Sequence, residues 1–131
     1  MRFDAVTTPV SVRPADLDGA GHVNNARVLE YLEQARWSWL RHHGLDRRKR
    51  IIPVVARIEV DYRRELFWGD LSIRTALADE DTVYKAVFEQ VIYSGAMPAV
   101  TAKVHVAFID TEDRRMRAVA DFIDANARSA D

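Results

Sequence analysis

Hydrophobic positions recur with helical spacing over one long stretch of this chain. Across residues 25–43, Val28, Leu29, Leu32, Ala35, Trp39 and Leu40 fall on one face at about 100° per residue, with Glu30, Gln34, Ser38 and Arg41 opposite. Asn24 is placed to cap the helix start by accepting from a free first-turn amide, and Gly44 to stop it. Elsewhere the pattern is that of strands. Over 54–64, Ala56, Ile58, Val60 and Tyr62 alternate with Arg57, Glu59, Asp61 and Arg63, the period-two signature of a half-buried strand. Residues 70–78 alternate again, and Asp79-Glu80-Asp81 reads as a turn. Residues 82–93 predict a strand covered on both faces, 94–98 a connection and 99–109 the last strand. A short strand at 5–13, where Pro9 points to an edge or bulge, precedes a polar loop at 14–24. A short helix at about 116–126 closes the chain.

The order is therefore strand, loop, long helix, four consecutive strands, small helix. Short connections among the last four strands imply antiparallel pairing. One amphipathic helix against one sheet makes a two-layer α+β domain. The helix carries bulky groups, Trp37 and Trp39 among them, so a sheet that curls around it would cover it best.

Composition narrows the class. A chain of 131 residues is one ordinary domain, able to bury a core without a staple. Hydrophobic residues at 48% and charged residues at 30% are globular values. With 19 Lys+Arg against 20 Asp+Glu, no basic excess draws the chain to nucleic acid. No apolar run approaches the roughly 20 residues of a membrane span, and the N-terminus lacks the pattern of a signal peptide. The absence of cysteine excludes disulfides, thiolate metal sites and cysteine catalysis. No His-Glu-x-x-His or similar ligand spacing predicts a metal, and no cofactor is called for. These features predict a soluble, cytoplasmic domain.

The most unusual segment is Asp16-Leu17-Asp18-Gly19-Ala20-Gly21-His22-Val23-Asn24-Asn25. It sets acids, a histidine and two amides just before a helix N-terminus, where unpaired N–H groups and about half a positive charge await an anion. Such N–H groups can hold a developing oxyanion. A nearby carboxylate can act as nucleophile or as general base for water. The glycines allow backbone and ligand to approach closely. The chemistry this suits is acyl transfer or hydrolysis. Asp and Asn before a helix serve equally as turn and cap residues, and on spacing alone the two readings stand level.

Asp16-Leu17-Asp18, followed by Gly21-His22-Val23-Asn24-Asn25 and Glu30-Tyr31-Leu32-Glu33-Gln34-Ala35-Arg36, resembles the opening of the hotdog-fold thioesterases. It is most similar to the 4-hydroxybenzoyl-CoA thioesterase-like and long-chain acyl-CoA thioesterase group. The His-Val-Asn-Asn run also resembles the plant acyl-carrier-protein thioesterases. Asp61-Tyr62-Arg63-Arg64-Glu65 and Gly69-Asp70-Leu71 extend the match into the strands. The resemblance implies an α+β hotdog fold over residues 1–131: a curved antiparallel five-stranded sheet around one long central helix, with a short C-terminal helix. It implies a homodimer with sheets joined edge to edge, often doubled to a homotetramer, and active sites at the dimer interface. It implies hydrolysis of an acyl-CoA or acyl-carrier-protein thioester without a cofactor. In it, Asp18 matches the catalytic carboxylate, Asn25 the residue whose main-chain N–H meets the thioester oxygen, and His22 a histidine of the carrier-protein group. The plant enzymes' Asn two residues after the Asp is Ala20 here, so their Asp-Asn-His arrangement is not reproduced.

Other residues carry plainer readings. Asp16 is expected to brace the loop, and Asn24 to cap the helix. Glu33 is a second, weaker candidate carboxylate. Arg36, projecting toward the apolar face, calls for an acidic partner in a structural ion pair. His105 reads as a surface or interface residue. Arg47 to Arg50, Arg57, Arg63, Arg64 and Lys85 are candidates for the phosphates of CoA; Arg63 and Arg64, with Gly21 and Asn24, are assigned to substrate binding. The competing functions are a hotdog hydratase or dehydratase, with Asp18 and His22 acting across a Cα–Cβ bond, and a non-catalytic acyl-CoA or acyl-carrier binding module. A different α+β cone fold that binds a small hydrophobic ligand is disfavoured, because this chain puts a strand before its helix.

Overall fold

The computed structural model describes residues 3–47, 50–78 and 82–128. The turn expected at 79–81 and two members of the basic run, Arg48 and Lys49, lie outside the described residues. The elements are β1 (Val6–Val10), a 3-10 turn (Pro14–Asp16), α1 (Asn25–His42), β2 (Ile51–Tyr62), β3 (Leu71–Leu77), β4 (Lys85–Ser94), β5 (Met97–Asp110), β6 (Met116–Arg117) and α2 (Val119–Arg128). All pairings are antiparallel, in the order β1-β3-β4-β5-β2, with β6 on β5. This is the hotdog arrangement, a curved sheet holding one long helix.

Helix α1 keeps the expected period. Val28, Tyr31, Leu32, Ala35, Arg36, Trp39 and Leu40 are its buried residues. Leu29, placed with them by sequence, turns to the rim at 39% exposure, and Tyr31 and Arg36 take the inner face. The first half packs against Leu71, Ile73, Ile92 and Val100. The second half packs against Phe88, Val104, Val106, Phe108 and Phe122. Gly44, at φ +69°, ends the helix: its N–H reaches Arg41 O at 3.1 Å and the next N–H, of Leu45, reaches Leu40 O at 2.8 Å. Those two bonds are the Schellman closure, which needs a left-handed residue at this position.

Several boundaries differ from the sequence expectation, and the largest differences have a tertiary reason. Strand β2 begins at Ile51 rather than 54, because β5 runs on to Asp110 and offers it a partner. A bulge between Val55 and Arg57 leaves Ala56 unpaired. The half-buried strand expected there is mostly open: Ile51 is buried, Pro53 and Val60 are partly covered, and Val55, Ile58 and Tyr62 are exposed. The C-terminal helix starts at Val119 rather than 116. Residues 116–117 instead pair with Phe108 and Ile109, beyond the point where β4 begins opposite Ala107, and so add a sixth strand.

Arg36 corrects the expected ion pair. Arg36 is 7% exposed, and its guanidinium donates to the neutral amide oxygen of Gln90 at 3.1 Å. Gln90 in turn donates to Leu32 O at 2.9 Å and Thr75 Oγ1 at 3.0 Å. Burial pulls Arg36 below the usual guanidinium range, and the charge of Glu33 opposes this without forming an ion pair. The inner face of β4 carries an amide where the expectation required an acid.

Candidate active site

Residues 16–24 fold as a small hairpin standing on the N-terminus of α1. Its base is the bond from Asn24 N–H to Asp16 O at 2.8 Å. Above it Leu17 and Val23 form a bridge, and Asp18 N–H donates to His22 O at 2.7 Å. Gly21, at φ +81°, makes the left-handed step at the tip that a side chain would strain. Val23 N–H donates to Leu66 O at 2.7 Å, tying the hairpin to the segment that follows β2.

The two aspartates of this hairpin have opposite surroundings. Asp16 is wholly buried. Its carboxylate accepts from the Tyr31 hydroxyl at 2.7 Å and from the Arg13 backbone and guanidinium at 3.1–3.3 Å. The Tyr31 hydrogen bond, joined by those of Arg13, holds Asp16 down at about 2 against the opposing effect of burial. It is a brace, as expected. Asp18 is exposed. Its Oδ1 accepts the N–H groups of Ala20 at 2.9 Å and His22 at 3.0 Å, and no donor meets Oδ2 among the described residues. These two bonds, His22's first, lower the Asp18 pKa and keep the carboxylate ionised.

Asp18, His22, Asn25, Arg63 and Arg64 line one cleft of about 370 Å³ at the start of α1. Asn24 caps the helix through its side chain, accepting from Ala26 N–H at 2.8 Å. It does not line the cleft, and neither does Gly21; both shape the backbone beside it. The Asn25 N–H, first of the helix, has no acceptor among the described residues. His22 Nδ1 lies 3.2 Å from Glu65, and its ring meets Phe67 edge to face at 4.8 Å. Arg63 is steadied by a bond to Thr101 Oγ1 at 3.2 Å.

Sequence reasoning missed Glu65 and Tyr62. Tyr62 donates its hydroxyl to Asn25 O at 3.2 Å across the cleft. Both lie in the Asp61–Glu65 run, which carries part of the family resemblance without giving these two residues a role. Glu33 stands apart, lining a second cleft of about 210 Å³ with Trp37 and Val55. His105, at 12% side-chain exposure, pairs with Glu59 at 2.9 Å on the outer face. Among the described residues no group of three His, Asp or Glu is placed to hold a metal. No helix among them is long and apolar enough to cross a membrane.

The hotdog sheet and the cleft at the start of α1 are what a thioesterase-like protein would show, and the comparison of sequences supplies the class. The chain belongs to the thioesterase-like superfamily, whose family model matches residues 12–127. It is 31% identical over 122 residues to the long-chain acyl-CoA thioesterase FadM of Escherichia coli (strain K12), a match covering 86% of this chain and 88% of that protein. Among solved structures it is similar to a probable thioesterase from Bartonella henselae, with TM-score 0.76, 30% identity and coverage of 88% of this chain and 97% of that one. The DHNA-CoA thioesterase of Staphylococcus aureus shares the fold at TM-score 0.82 but only 16% identity, covering 96% of this chain and 88% of that one.

Proposed function

We propose that this protein hydrolyses the thioester of a long-chain acyl-CoA to free acid and thiol. The observation that carries the reading is the ionised Asp18 carboxylate, with an unengaged oxygen, in one cleft with Asn25 at the start of α1. The bonds from His22 and Ala20 N–H keep Asp18 charged while leaving Oδ2 free, so that oxygen can attack a carbonyl carbon. Attack by Oδ2 on the carbonyl carbon forms an acyl–carboxylate anhydride as the C–S bond breaks and the thiolate leaves. Water then cleaves the anhydride, restoring Asp18 and releasing the acid. The Asn25 N–H faces the charge that develops on the carbonyl oxygen, with the helix dipole behind it. His22 supplies the thiolate with a proton, and Arg63 and Arg64 at the rim meet the phosphates of CoA. The resemblance to FadM supports the long-chain acyl group.

The test is thiol release across short, long, β-keto and aromatic acyl-CoAs and an acyl-carrier protein; the chain contributes no cysteine background. Turnover highest on long-chain acyl-CoA is the expected result. Turnover on carrier-protein esters alone would move the donor. Binding without turnover on any ester would favour the binding module, and water addition to an enoyl ester the hydratase. His22→Ala should lower turnover by about tenfold, less than loss of Asp18, because proton transfer to a thiolate can pass to water. Equal loss in the two variants would make His22 the primary base instead.

The working form is proposed to be a homodimer, with pairing of two dimers as the larger assembly. Strand β2 is the longer of the two edges of the sheet, with Val55 at 43%, Ile58 at 37% and Tyr62 at 44% exposure. So long an apolar edge invites a second copy, and antiparallel pairing of two β2 strands would roof the cleft beside Tyr62. Ile58→Lys is expected to shift the protein from dimer to monomer in analytical ultracentrifugation and to reduce turnover. A wild-type monomer, or a variant that stays dimeric, would overturn this.

A further inference from the structure

We propose that the buried Asp16–Tyr31 pair is a positioning device for the hydrolysis described above, setting where the Asp18 carboxylate stands relative to the start of α1. The inference rests on that reading of Asp18. Three connections meet at Asp16. Its side chain closes the 3-10 turn by accepting the Arg13 N–H at 3.1 Å. The same carboxylate takes the hydroxyl of Tyr31, nearly two turns into α1, at 2.7 Å. Its backbone oxygen receives the N–H of Asn24, the residue that caps α1, at 2.8 Å. Asp16 is thus the hinge point of the hairpin, and Asp18 is carried two residues beyond it.

The tip is rigid in itself, since Asp18 accepts the N–H groups of Ala20 and His22. A rigid tip on a fixed base has one placement over the helix end. The same tip on a loosened base has many. A reacting oxygen displaced by about 1 Å costs on the order of 10²-fold in rate, so the base matters to chemistry it never touches. Tyr31 is buried at 3% exposure, and Asp16 completely, so neither can meet substrate. Arg27, 3.7 Å from Asp16, and Arg13 supply the compensating positive charge that lets an acid stay ionised there.

Tyr31→Phe removes one hydroxyl and keeps the ring in the core. It is expected to lower kcat about tenfold with KM within about twofold, at a temperature where the variant is fully folded. Asp16→Asn should move kcat the same way and further. A remote core truncation, Phe122→Ala, serves as the control: it lowers thermal stability but leaves kcat unchanged. Hydrogen exchange gives a readout that needs no substrate. In Tyr31→Phe the amides of Asp18, Gly21, Val23 and Asn24 should exchange at least tenfold faster, with those of β4 and β5 unchanged. Unaltered exchange in the hairpin, or unaltered kcat, overturns the proposal. If wild type turns over no acyl ester while hairpin exchange does accelerate, the reading of Asp18 has failed and the mechanical coupling stands.

Discussion

Asp18→Asn is expected to lower turnover of long-chain acyl-CoA by about 10²–10⁴-fold, the range typical of a lost nucleophile or base. The substitution tests charge alone. Asn has the shape of Asp, and its Oδ1 can keep both bonds from Ala20 and His22 N–H that hold the hairpin tip. The fold and the cleft therefore survive, and circular dichroism with a thermal melt should show it. What disappears is the anionic second oxygen, which becomes an amide nitrogen without nucleophilic lone pairs. Substrate affinity should change little, because the groups proposed to meet CoA, Arg63 and Arg64, are untouched. A folded variant with turnover within threefold of wild type would remove Asp18 from the chemistry and send attention to Glu33, the helix carboxylate lining the neighbouring cleft.

Trp39→Ala is expected to cost about 3–5 kcal/mol of stability, a large share of a domain's total. Trp39 is 2% exposed and meets Phe3 at 5.4 Å, His43 at 4.5 Å and Phe88 at 5.0 Å between ring centroids. It joins the end of α1 to the sheet and to the chain before β1, three parts that cannot all collapse into the space it would leave. The change should lower the melting temperature by roughly 10–20 °C in a scanning calorimeter. Trp39→Phe should cost far less. The indole N–H has no acceptor among the described residues, so its removal offsets part of the lost packing. A loss below about 1 kcal/mol for Trp39→Ala would show that this half of the core is loosely held.

Much of this was legible in the sequence because it depends on neighbours in the chain. The helical period over 25–43 gave α1 to within one residue, and Asn24 and Gly44 marked its ends by local backbone chemistry. The alternation over 70–78 and 99–109 found β3 and β5, since a strand of a one-helix sheet must sort its faces. The Asp-x-Asp loop stands out because it sets two acids, a histidine and two amides at a helix N-terminus, and the family resemblance is what separates a site from a cap there. Other features depended on partners far away in sequence. The bulge at Ala56 shifts which residues of β2 face inward, and alternation read from 54 onward could not show it. Residues 116–117 look helical by composition but pair with β5, because β5 outruns β4.

By itself the sequence determined the order of the main elements, the capped central helix and which polar groups the preceding loop carries, since propensity, periodicity and capping act over a few residues. Only the tertiary structure showed the surroundings that set the two aspartates of that loop apart. Asp16 and Asp18 are the same residue type two positions apart. One meets Tyr31 and Arg13 in the interior, and the other meets backbone N–H groups at the surface. The tertiary structure likewise gave Arg36 an amide instead of an acid, and His22 the carboxylate of Glu65. The physical reason is common to these cases. A side chain's charge and role follow from the atoms that replace its water, and folding brings those atoms from elsewhere in the chain.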